Sequence, residues 1–180
     1  MPPLDSVAGN KQNQGYQLYV MRHGIAVARG DPNFPDDNLR PLTPQGKKKL
    51  KGIAKGLLRL GLHLDSIITS PLVRASETAT IVAEVLGSGV KVETSARLQP
   101  GGSLQELLAD LGKRKEHRSV LVVGHEPDLS DGVARLIGNA RARFQFKKGG
   151  CCRIDFAQFP PRSPGKLIWW LTPRVMRKIG

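Results

Sequence analysis

Cysteine is nearly absent from this chain: 180 residues carry two, Cys151 and Cys152, and these are adjacent. Neighbouring side chains on a strand point to opposite faces, so neither a disulfide nor a metal pair is a natural reading. The expectation is one buried small hydrophobe beside a more exposed thiol, which suits a reducing compartment. No apolar run reaches the roughly 18 residues that a membrane helix needs. Residues 1–15, MPPLDSVAGNKQNQG, have neither the basic start nor the apolar stretch of a signal peptide. They read as a polar, flexible tail, and the cytoplasm is the expected location. There is no GxxxxGK[ST] loop and no GxSxG elbow, which removes P-loop and hydrolase-triad chemistry. There is no HxxxH, no HxH and no carboxylate–histidine cluster with ligand spacing, so no metal and no cofactor is expected.

Acidic charge is also short. The formal net charge is +13 and the pI is about 10.3, which favours anionic partners without naming one. Lys47, Lys48, Lys49, Lys51 and Lys55 read as an ordinary solvated helix face. The basic residues show no recognisable motif and no interleaved aromatics, so specific nucleic-acid binding is not expected. With 39% hydrophobic residues the chain can form a real core, and residues 16–180 read as a single domain without repeat or linker.

YQLYVM at 16–21 is an apolar run that reads as a buried strand ending at Arg22-His23-Gly24. Thr43-Pro44 has the form of a helix start, and the apolar spacing from Leu50 to Leu60 carries that helix to Gly61. SIIT at 66–69 predicts a short strand, and a helix from about Leu72 closes at Gly87. VKVE at 90–93 is a weak strand, and Ser103 caps a helix to about Gly112. SVLVVGH at 119–125 repeats the first pattern, followed by a helix over Asp128–Ile137 and late strands at 151–156 and 167–171. Strands alternating with helices predict an α/β layered fold with a largely parallel sheet, the late strands being free to pair antiparallel.

Two of the four histidines, His23 and His125, follow apolar strands, and ligands of open α/β sheets bind outside the carboxyl ends of the strands. His63 and His117 lie in polar or turn contexts and read as surface residues. Arg22 adjoins His23, and Arg74 sits at a helix start after Ser70-Pro71. A guanidinium presents a permanent charge and a planar fork of donors that suits phosphate oxygens. Two arginines and two histidines at three strand ends make an anion site.

YVMRHGIA, RPLTPQG, ITSPLVRASETA and LVVGHEP, in this order, resemble the histidine phosphatase superfamily, and most closely its small SixA-type phosphohistidine phosphatase branch. WWLTPR resembles the end of that branch, and the similarity covers Tyr16 to Arg174. The resemblance implies a phosphoglycerate mutase-like three-layer α/β/α sandwich with a mixed, mostly parallel sheet and no metal. It implies that His23 takes the phosphoryl group, that Arg22 and Arg74 clamp it, and that His125 completes the phosphate pocket. Arg40, in RPLT, matches the branch but receives no role beyond the pocket rim.

For that chemistry the attacking nitrogen of His23 must be neutral, its other ring nitrogen oriented by backbone. Many superfamily members carry a carboxylate acid after the third strand, where this chain reads Arg97-Leu98-Gln99-Pro100-Gly101-Gly102. Glu106 and Glu77 read as helix surface, Glu126 as a loop charge, and no proton donor is assigned. An alkoxide leaving group, with a conjugate-acid pKa near 15.7, needs such a donor far more than an imidazole of about 6.5. The reading is therefore a phosphohistidine phosphatase acting on a protein. The alternatives are a small-molecule phosphomonoesterase using the same pocket, or a non-catalytic phosphate-binding module. A mutase is disfavoured because the chain lacks an evident insertion to close over substrate.

Overall fold

The computed structural model describes residues 15–87, 89–113 and 118–180. The expected tail and His117 therefore fall outside the described residues, apart from Gly15. Six strands form one sheet: β1 (Tyr16–Arg22), β2 (Ser66–Thr69), β3 (Lys91–Thr94), β4 (Ser119–Gly124), β5 (Cys151–Phe156) and β6 (Lys166–Leu171). Their spatial order is β3-β2-β4-β1-β5-β6. The first four are mutually parallel, whereas β5 runs antiparallel to both β1 and β6.

Period-two alternation distributes the strand side chains between two cores. Tyr19, Met21, Ile67, Leu121 and Val123 face one cluster. It is covered by α1 (Pro44–Arg59), α2 (Val73–Leu86) and α5 (Pro173–Ile179). Leu18, Val20, Ile68, Val120 and Val122 face the other, covered by α3 (Leu104–Leu111) and α4 (Asp128–Leu136). The result is the expected three-layer sandwich.

Both cysteines are fully buried, which corrects the expectation of one exposed thiol. β5 lies inside the sheet with helices over both of its faces, so Cys151 enters the first cluster and Cys152 the second. Burial pushes both thiols' pKa values upward.

Helix α1 begins as its sequence demands: Thr43 accepts from the Gly46 amide at 2.9 Å, Pro44 opens the helix, and Gly61 ends the turn at φ 77°. Its buried residues, among them Leu50, Ile53, Ala54 and Leu57, recur at helical spacing. Gly56 admits α5, since a Cβ there would stand 2.0 Å from the Met176 carbonyl oxygen. Helix α5 was not expected, although Thr172-Pro173 caps it as Thr43-Pro44 caps α1. No helix among the described residues is long and apolar enough to cross a membrane.

Candidate active site

Strand register brings the two histidines together. Arg22 pairs with Gly124 across the central β1–β4 ladder, so His23 and His125 emerge side by side from adjacent strands. The His23 amide donates to the Gly124 carbonyl at 3.1 Å, and the two imidazole centroids lie 5.1 Å apart. Both rings are buried, at 6% and 4% exposure. The neighbouring β2 ends at Thr69, placing Ser70 beside His125: its hydroxyl and His125 Nε2 are 2.9 Å apart.

The tautomer of His23 follows from its surroundings. Its Nδ1 lies 2.8 Å from the Gly24 carbonyl oxygen, which can only accept, so Nδ1 carries the proton and Nε2 keeps its lone pair. Gly24 is held in turn, its amide donating to Thr78 Oγ1 at 3.0 Å while that hydroxyl donates to the Arg74 carbonyl at 2.7 Å. Burial pushes the His23 pKa down to about 3, against the Gly24 hydrogen bond and with help from His125, Arg74 and Arg22. Burial and the charge of Arg74 push His125 down to about 4, although Asp37 pulls the other way. Both rings are neutral at neutral pH.

The cations are anchored from outside. Arg22 donates through Nη1 to the Phe146 carbonyl at 2.8 Å, and its carbonyl accepts from the Gly149 amide at 3.1 Å. Arg74, 2% exposed, donates to the Asp37 carbonyl at 2.7 Å and to the Asp37 carboxylate at 3.0 Å. The same carboxylate accepts from Arg40 Nε at 2.9 Å and from Arg29 Nε at 3.1 Å. Burial raises the Asp37 pKa, but the hydrogen bonds from Arg29 and Arg40 and the charge of Arg74 outweigh it, so the group stays below the ordinary carboxylate range. Arg40 is itself buried and reaches the Val27 carbonyl at 2.5 Å. It braces the 27–40 loop at the pocket, a more definite place than the rim expected for it.

Among the described residues four buried side-chain polar atoms lack a hydrogen-bond partner, and three of them belong to the expected site residues: Arg22 Nε, Arg74 Nε and His125 Nδ1. Unsatisfied buried donors are costly and rare. Their concentration among these residues leaves two guanidinium Nε–H groups without acceptors beside the paired histidines.

The glutamates lie elsewhere. Glu106 is exposed and pairs with Arg97, as expected of helix surface. Glu77 is not plain surface: half-buried, it accepts from the Leu42 amide at 2.6 Å and pairs with Lys47 at 2.5 Å, tying the RPLT segment to α2. Glu126 is more than a loop charge, since it accepts from the Ser130 amide and hydroxyl and from the Phe146 amide at 2.7 Å. The turn after β3 does border His125, sharing a small hollow that also contains Gln99 and Asp128. Asp128 accepts from the Gly101 amide at 2.9 Å. His63 is exposed, and its carbonyl accepts from Ser119 at the opposite end of the sheet.

The sandwich gathers paired histidines and anchored arginines at one end of its central strands, an arrangement suited to an anion, and comparison with known proteins gives the class. Residues 18–100 match the histidine phosphatase superfamily, branch 1. An uncharacterized protein of Picosynechococcus sp. is 38% identical over 163 residues, 88% of this chain and 97% of that one. Phosphohistidine phosphatase SixA of Escherichia coli is 30% identical over 122 residues, 67% of this chain and 73% of that protein. A solved structure of the protein histidine phosphatase SixA with tungstate superimposes at a TM-score of 0.76, with 26% identity, covering 89% of this chain and 99% of that one. The chain belongs to the histidine phosphatase superfamily, in its SixA-like branch, and it is a phosphatase.

Proposed function

We propose that the protein is a phosphohistidine phosphatase acting on phosphorylated proteins, with His23 as nucleophile and Arg22, Arg74 and His125 as the phosphate-binding set. The observation that carries this reading is the group of unpartnered atoms on Arg22, Arg74 and His125, two guanidinium Nε donors among them, around a histidine whose Nε2 lone pair is free. Oxygens of a phosphoryl group supply the acceptors these donors lack. Similarity to SixA supports the substrate class.

In the proposed reaction His23 Nε2 attacks phosphorus and the P–N bond to the substrate histidine breaks. The departing imidazole keeps the bonding electrons and leaves neutral when its far nitrogen has been protonated. Water then attacks the phosphorus of phospho-His23, releasing inorganic phosphate and restoring the neutral ring. No enzyme carboxylic acid is needed. That agrees with Asp37, the carboxylate bound to Arg74, being held below the ordinary carboxylate range by Arg29, Arg40 and Arg74. The reaction needs no metal, and residues 16–180 act as one unit.

The test is parallel turnover of a phosphohistidine protein and of simple phosphate monoesters, with acid-labile labelling of the enzyme. Faster hydrolysis of the phosphohistidine protein and a label that disappears in His23→Ala are expected. Equal or better turnover of sugar phosphates would favour the small-molecule phosphomonoesterase. Absence of any covalent label would favour a binding module.

A further inference from the structure

A basic groove leaves the pocket beside Arg22. Its first stretch, a hollow of about 250 Å³, runs between Arg22 and Arg143. A second hollow of about 440 Å³ shares Asp131, Ala142 and Arg143 with the first and adds Arg135 and Arg141. All three of these outer arginines are exposed, and among the described residues none forms an ion pair. Two carboxylates line the groove. Glu126 is occupied by Ser130 and the Phe146 amide, which leaves Asp131 as the exposed one.

Lys147 and Lys148 continue the charge around the mouth. Their segment is fastened to the catalytic strand end, because the Gly149 amide donates to the carbonyls of Arg22 at 3.1 Å and His23 at 3.0 Å. Partial burial and the charges of Arg22, Arg40 and Arg74 lower the Lys148 pKa, which places its ammonium within their field.

A single phosphoryl group brings about two negative charges at neutral pH. Arg22 and Arg74 suffice for it. The outer arginines exceed what one phosphate can use, and they line hollows that extend from Arg22 without including His23, Arg74 or His125. A substrate that uses them carries further negative charge along a chain leading away from the phosphorylated residue.

Nucleic acid fits the groove less well. Phe144, the aromatic residue beside Arg143, is stacked on Trp170 at 4.9 Å, so that face is not open to a base. The exposed Asp131 opposes a continuous phosphate backbone, whereas peptide carboxylates can be spaced to miss it.

We propose that this groove docks an acidic segment flanking the phosphohistidine of the substrate protein. The inference rests on the phosphohistidine reading and narrows it to acidic phosphoproteins.

The experiment compares two phosphohistidine peptides, one flanked by Asp and Glu and one by Ser and Gln, with para-nitrophenyl phosphate as the small substrate. Cleavage of each peptide is measured, and so is its binding, read as inhibition of para-nitrophenyl phosphate turnover. The acidic peptide should show a kcat/KM about tenfold higher at low salt, the gap closing as salt rises. Charge reversal at Arg135→Glu, Arg141→Glu and Arg143→Glu together should abolish the preference and leave para-nitrophenyl phosphate turnover within about twofold. If the reversed protein fails to fold, the same positions changed to Gln serve, and the preference should fall at least threefold by the same reasoning.

Equal binding of the two peptides overturns the groove assignment whether or not either is cleaved. So does a preference that survives in the variants, or tighter competition by single-stranded RNA than by the acidic peptide. Acid-selective binding without cleavage would instead overturn the phosphohistidine reading and leave the groove standing.

Discussion

Asp37 and Arg74 are joined twice, the guanidinium donating through Nη1 to the Asp37 carbonyl at 2.7 Å and through Nη2 to its carboxylate at 3.0 Å. An arginine 2% exposed has few ways to be held in place without such a partner. The carboxylate side chain is 35% exposed, so solvent screens part of the pairing. Asp37→Asn keeps the volume and removes the charge. It should raise the inhibition constant of inorganic phosphate about tenfold and lower stability by about 1–3 kcal/mol, with Asp37→Glu recovering part of the affinity. Titration of turnover with phosphate checks the first effect, and urea melts the second. Unchanged phosphate affinity in Asp37→Asn would show that Arg74 is placed without it.

Thr78 holds His23, the proposed nucleophile, at one remove. Its hydroxyl takes the Gly24 amide, and the Gly24 carbonyl sets the His23 tautomer. Thr78→Val leaves a buried N–H unpaired, a cost of about 1–3 kcal/mol. The expected result is a fall in kcat of roughly tenfold or more with a smaller change in KM. Thr78→Ser, which keeps the hydroxyl, should restore most of the rate. A kcat unchanged by Val would disconnect Thr78 from the ring.

Acid should weaken the fold through the histidine pair. The pKa of His23 is depressed to about 3 and that of His125 to about 4, from 6.5 in the unfolded chain. Below pH 6.5 the unfolded chain binds protons that the folded one refuses. The histidine contribution is therefore complete above that pH and is lost as pH falls toward 4 and then 3. At pH 5 each ring should account for about 2 kcal/mol of lost stability. Urea melts at pH 7 and pH 5 should show His125→Asn losing less than the wild type. An equal loss in both would mean that His125 titrates normally.

Chelation bears on the proposed chemistry directly. Turnover of a phosphohistidine substrate should survive EDTA within experimental error. A loss restored by zinc or magnesium would refute a metal-free reaction.

Much of the architecture was open to reading from short-range patterns. Thr43-Pro44 marked α1, and two apolar runs ending in histidine marked the central strands. The same Thr-Pro signature at 172–173 passed unused, because the short α5 that follows has little apolar periodicity of its own. It is secured instead by the gap that Gly56 leaves. The gathering of Arg22, His23, Arg74 and His125 was legible because each adjoins a strand end or a helix start. Asp37 was not, since it sits in a Pro- and Asp-rich loop and meets Arg74 only through the fold, 37 residues away in sequence. Glu77 and Glu126 depart from expectation for a similar reason: each accepts from a backbone amide distant in sequence, Leu42 and Phe146, which sequence patterns do not display. Alternation alone predicts one more exposed thiol in the Cys151-Cys152 pair because it does not reveal that both faces of β5 are covered.

The orphaned atoms on Arg22, Arg74 and His125 make the fold responsive to its own occupancy. A tetrahedral oxyanion at the proposed phosphate site would offset the charge of Arg22 and Arg74, so a ligand at a hundred times its Kd should add about 2.7 kcal/mol to the resistance against unfolding. Melting curves recorded in phosphate buffer would therefore flatter any variant that still binds the anion, and would exaggerate the damage in one that does not.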